Sequence, residues 1–144
     1  MGSLHPRGRK DINMKENVSQ KIVNYFAGDN FYKRPIETFE YYSSRDDFKS
    51  VLIPDFINRY EKTNSDPNAW QEVQELYDVI GLYIFDWLNA LLREQGDEIE
   101  KYTYLDDEEK KEVLHGACDI MLEVIKSQLI REYEVYISLQ SKKQ

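Results

Sequence analysis

The chain has 144 residues, with 27 Asp plus Glu against 19 Lys plus Arg, for a formal net charge of -8. A single cysteine excludes an intramolecular disulfide framework, and the longest uncharged apolar run, residues 79–85, is too short to span a bilayer. The acidity argues against direct capture of nucleic-acid phosphates. A 41% apolar share and 11 tyrosines supply core material that a disordered chain lacks. These totals describe a soluble, cytoplasmic, acidic domain.

Residues 1–13 are set apart as a disordered arm or an expression remnant, with Met14 a candidate native start, and residues 14–144 form a single helical domain. The first ten residues carry Arg7, Arg9 and Lys10 and no acid, so the remainder holds 16 basic residues against 27 acids, a net of -11. The first helix is expected over 15–27. There Val18, Ile22, Val23 and Phe26 share a face, and Gly28 stands where a left-handed cap belongs. Pro35 is placed at the first position of a second helix through Tyr42. Ser44 and Asp47 read as a capping pair for a third helix whose apolar face is Phe48, Val51 and Leu52, with a break or kink at Pro54.

Asp66 and Pro67 mark the start of a long helix reaching Gln95, with Gly96 as its stop. Trp70, Val73, Tyr77, Ile80, Ile84, Trp87 and Leu91 alternate steps of three and four. From Val79 to Leu92 the only charge is Asp86, so this helix is expected at the centre of the bundle. A last helix is read over 106–139, with a break considered at Gly116. Leu114, Ala117, Cys118, Met121, Val124, Ile125, Leu129 and Tyr136 lie on one face. The fold expected is all-α: a mainly antiparallel bundle of four to six helices built on a long helical hairpin. The short alternation Tyr102-Thr-Tyr104 is the one strand-like stretch.

Chemistry-bearing motifs are few. Glu112-Val-Leu-His115 spells half of a di-iron bundle site, but His115 is the body's only histidine, so no metal and no cofactor are expected. Cys118 and His115 could pair as thiolate and imidazole, yet Cys118 falls in the apolar stripe, and no catalytic residue is assigned. His115 is instead expected to pair with Asp119 one turn on. Asp86 is placed on a solvated strip. Glu132 interrupts the apolar stripe of the last helix, whose continuation (Tyr133, Tyr136, Ile137 and Leu139) suggests an apolar interface, including a homodimer.

The most concentrated feature is the connection between the two long helices. Asp97, Glu98, Glu100, Asp106, Asp107, Glu108 and Glu109 occupy thirteen residues with Tyr102, Tyr104 and a single lysine. Part of this acidity complements a helix dipole. The functional expectation is a docking edge for a basic protein, since carboxylates steer association and tyrosines add rigid contact area. The leading reading is therefore a non-enzymatic inhibitor or immunity-type protein. It would neutralise a basic, nucleic-acid-handling partner such as a nuclease toxin or a host defence nuclease, without contacting nucleic acid or membrane itself. The alternatives are an acidic secretion chaperone or assembly adaptor with apolar grooves, and a helical enzyme with a carboxylate-based site drawing on Asp86 with Glu75 or Asp78.

Overall fold

A computed structural model describes residues 4–143, with side chains from 15 to 142. Six α-helices are present: α1 (Leu4–Ala27), α2 (Asn30–Lys33), α3 (Pro35–Ser43), α4 (Phe48–Lys62), α5 (Trp70–Gln95) and α6 (Asp107–Lys143). There is no strand among the described residues, and Tyr102–Tyr104 forms a 3₁₀ turn rather than extended chain. The expected all-α bundle is thus observed. The first helix starts at Leu4 rather than near Lys15, so helix runs through most of the segment set apart as an arm. Residues 1–3 lie outside the described region.

The long hairpin is α5 against α6. Lys126 lies over the Tyr77 ring at 4.5 Å and Phe85 stacks on His115 at 5.5 Å, which fixes the two helices as antiparallel. α4 runs antiparallel to α5: Phe48 meets Tyr83, Phe56 meets Tyr77, and Arg59 donates to the Glu72 carbonyl at 2.7 Å. α1 runs in the same direction as α6, since Lys15 pairs with Glu112 and Ser19 donates to the Val113 carbonyl at 2.9 Å. A parallel neighbour requires a long crossover, which α2 to α5 provide.

The centre of the bundle is α6, not α5. α6 packs on α1, α3, α4 and α5. Its buried stripe is Val113, Leu114, Ala117, Cys118, Met121, Ile125, Gln128 and Leu129. α5, expected to be enclosed, leaves Val79 41% and Leu82 62% exposed. Its buried line is Val73, Leu76, Ile80, Ile84, Leu88 and Leu92. Trp70, Tyr77, Trp87 and Leu91 flank that line. The rings keep one edge toward water and meet other aromatics: Trp70 meets Tyr60, and Trp87 meets Phe39. The sequence has so many large apolar residues on α5 that two adjacent lines both look like a seam. Only the neighbours' positions decide between them.

Local signals were of mixed value. Gly28 does adopt a left-handed conformation (φ 77°), Pro35 opens α3, and Asp66 accepts from the Asn68 amide at 3.0 Å before the turn into α5. Ser44 does not cap α4. It ends α3 in a left-handed conformation, and Glu40 reaches across from α3 to accept the Lys49 amide at 2.8 Å. α4 passes through Pro54 without interruption, and α6 passes through Gly116. At Gly116 a side chain is excluded by the neighbour: a Cβ would overlap Ser19 Oγ and lie 3.2 Å from Ser19 Cβ. The glycine lets α1 and α6 approach closely. Gly96 ends α5 in right-handed geometry, and its Cβ position lies 2.7 Å from the Tyr102 ring, so close approach rather than backbone freedom explains the glycine.

One buried polar contact ties α3 to α6. Gln128, 6% exposed, accepts from the Ile36 amide at 2.8 Å and donates to Glu37 at 2.9 Å. The Ile36 amide is one of the donors that a helix start leaves unpaired, so a side chain from another helix completes the cap. Glu37 also meets Lys49 at 2.9 Å. Burial pushes the Glu37 carboxyl pKa up. Hydrogen bonds from Lys49, Gln128 and its own backbone amide, with the Lys49 charge, outweigh that and bring it below the ordinary value.

Candidate functional site

The acidic connection between α5 and α6 is built on two short 3₁₀ turns, Gly96–Glu98 and Tyr102–Tyr104. Two apolar side chains hold it down: Ile99 and Leu105 are buried in the main core. Lys101 turns the chain with φ 72°. Tyr102 packs against Gly96 with Lys110 5.3 Å from its ring centroid, and burial raises its phenol pKa. The start of α6 is closed by a reciprocal cap. Asp106 accepts from the Glu109 amide at 2.8 Å, and Glu109 accepts from the Asp106 amide at 3.0 Å.

That arrangement sorts the predicted docking residues into two groups. Tyr102 and Glu109 are partly buried and serve the connection itself. Asp97, Glu98, Glu100, Asp106, Asp107 and Glu108 are exposed, and Tyr104 stands 88% exposed beside them. Glu100 is bridged by Lys21 at 3.2 Å and Glu108 by Lys111 at 3.8 Å. Among the described residues Asp97, Glu98 and Asp107 have no ion-pair partner. The connection therefore presents net negative charge on a backbone pinned at Ile99, Leu105 and the α6 cap. Carboxylates on an anchored backbone lose less entropy on meeting a cation than carboxylates on a free loop do.

The predicted apolar surface at the far end of α6 is only partly available. Tyr133 is taken into the bundle, 4.8 Å from the Tyr60 ring and within hydrogen-bond reach of Asn64. Tyr136 is half-buried behind it. Ile137 and Leu139 are exposed, as is Val135, which continues the core stripe past the last neighbour. Glu132 is half-exposed and Asp86 exposed, so neither is a desolvated carboxylate.

His115 is exposed and stacked on Phe85, which replaces the expected pairing with Asp119. Burial, with a smaller contribution from Asp119, pushes the Cys118 thiol up to about 12, so it is protonated at neutral pH. Such a thiol is a poor nucleophile. No group of three or more His, Cys, Asp or Glu is gathered in metal-binding geometry among the described residues. No helix among them is long and apolar enough to cross a membrane.

No protein-family model matches the chain, and neither a curated protein nor a solved structure does.

Proposed function

We propose that the protein is a non-enzymatic inhibitor or immunity-type protein, which binds a basic, nucleic-acid-handling partner and occupies its phosphate-binding surface. The observation that carries this reading is the connection between α5 and α6, with six exposed carboxylates and the exposed Tyr104 on an anchored backbone. A basic cleft evolved to hold phosphates meets there several exposed carboxylates on an anchored backbone and one exposed aromatic ring. Electrostatic complementarity of that kind accelerates encounter and is weakened by salt. A nuclease toxin or a host defence nuclease has such a cleft. The exposed apolar residues Val135 and Leu139 on one face, with Ile137 on the other, are left as a secondary apolar contact, to a partner or to a second copy.

The test is capture from lysate of the source cell with two charge-matched variants. One carries Asp97→Asn, Glu98→Gln, Asp107→Asn and Glu108→Gln. The other carries Glu61→Gln, Glu75→Gln, Asp86→Asn and Glu134→Gln, all exposed positions outside the connection. The wild type and the second variant are expected to retain the same basic nucleic-acid-handling protein at about 50 mM salt. The first variant is expected to lose it, and all three at about 500 mM, where the screening length is only a few ångströms. Equal loss in both variants would mean that net charge alone is read. Recovery that resists salt would favour an adaptor working through apolar grooves.

A further inference from the structure

Between α4 and α5, away from the connection, lies a groove of about 380 Å³. Its floor is core: Phe48, Leu52, Leu76 and Ile80 are buried. Its walls are not covered. Val51 on α4 is 63% exposed and Val79 on α5 is 41% exposed. Single exposed aliphatics are ordinary on a protein surface. Two that face each other from adjacent helices, continuous with a buried apolar floor, are not explained by the bundle's own packing.

The mouth of the groove is acidic. Asp46, Asp47 and Asp55 line it; Asp55 is already bridged by Arg59 at 2.8 Å, which leaves the exposed Asp46 and Asp47. The one cation in the lining, Arg45, does not bridge these acids. Its guanidinium carbon lies over the Tyr83 ring at 3.9 Å. The groove wall thus already holds a cation on an aromatic face, next to carboxylates that a further cation would meet.

We infer that this groove is a docking site for a cationic amphipathic helix of a partner protein, with its apolar face between Val51 and Val79 and its basic residues against Asp46 and Asp47. An apolar trough between two antiparallel helices accepts a third helix through anchors at three- and four-residue spacing. The charge of the rim selects among such helices. An anionic amphipathic helix brings like charges together, and a second copy of this acidic chain meets the same repulsion. The groove shares no residue with the acidic connection, so it stands or falls separately from the function proposed above.

The probe is a fluorescein-labelled helical peptide of leucine and lysine with leucines on one face, compared with an isomer whose leucines are scattered and with a leucine–glutamate counterpart. The full chain is titrated by anisotropy at physiological salt. The amphipathic cationic peptide is expected to bind at least about tenfold more tightly than either comparison peptide. Val51→Ser with Val79→Ser, and separately Asp46→Asn with Asp47→Asn, are each expected to weaken it by about tenfold. Both pairs alter exposed side chains, and a thermal melt checks that each variant stays folded. The four connection substitutions should leave this affinity within about twofold. Unchanged binding in the groove variants, or equal binding of the scattered isomer, would overturn the proposal. So would self-association of the unliganded chain that Val51→Ser with Val79→Ser abolishes, which would assign the groove to a second copy.

Discussion

Leucine in place of Gln128 is expected to cost about 2–4 kcal/mol of folding stability, although leucine is the more apolar residue at a buried position. Gln128 on α6 meets both the Ile36 amide and Glu37. Leucine leaves that amide, at the start of α3, without an acceptor in a buried place. It also removes one of the hydrogen bonds that lower the Glu37 pKa. The pH dependence follows from the sign of that shift. A carboxyl with a folded-state pKa below its unfolded value adds stability above the unfolded value, and loses it as pH falls through the folded one. The gap between wild type and Gln128→Leu should therefore be widest at neutral pH and narrow below the ordinary carboxylate range. The part due to the unpaired amide should persist. Denaturant unfolding at both pH values measures it. A neutral-pH difference under about 0.5 kcal/mol would show that the contact between α3 and α6 is not stabilising.

Gly116→Leu is expected to be at least as damaging, at about 3 kcal/mol or more, because the added atoms point at Ser19 across the closest approach of α1 and α6. Helix propensity runs the other way: leucine is the better helix former by somewhat under about 1 kcal/mol. A net loss would therefore report the interface and not the helix. Ser19→Ala, which removes only the 2.9 Å hydrogen bond to the Val113 carbonyl, should cost about 1 kcal/mol. In Gly116→Leu, amide exchange should quicken along α1 first. A leucine variant as stable as the parent would mean that α1 is not packed on α6 as described.

The two residues differ in how visible they are from sequence. Gly116 was noticed as a helix irregularity, because a glycine within an apolar period stands out. Its reason, the Ser19 hydroxyl, lies 97 positions earlier and leaves no local trace. Gln128 carries no signal of its own in the sequence, while its neighbour in the same stripe, Glu132, stands out. A charge in an apolar line draws attention, whereas a neutral amide does not. Yet the amide is the buried group, and the carboxylate is half-exposed near the end of the bundle.

Elements with chemical punctuation were legible. Asp66-Pro67 before α5, Pro35 before α3 and Gly28 after α1 act through residues next to them, and all three stand where the spacing puts them. The seam of α5 was not legible, because Leu76 and Leu88 adjoin Tyr77 and Trp87, and either pair satisfies a helical period. Which pair is buried depends on where α4 and α6 lie. The same gap explains the mistaken choice of central helix: uniform apolarity measures how much could be buried, not how many neighbours arrive.

The acidic connection was readable because it is one contiguous segment. Sequence could not separate Glu109 and Tyr102, occupied by capping and packing, from Asp97, Glu98 and Asp107, which face water. The groove between α4 and α5 had no signal at all. Val51 and Val79 were ordinary members of apolar faces until two helices placed them on opposite walls.

The proposed function turns on the connection between α5 and α6, and one measurement addresses it directly. Hydrogen exchange of the protein, free and bound to the basic partner it captures at low salt, maps where that partner sits. Protection concentrated in residues 97–112, lost in the four-carboxylate variant, is the result expected of an inhibitor that presents this edge. Protection elsewhere, with these amides unchanged, would contradict it.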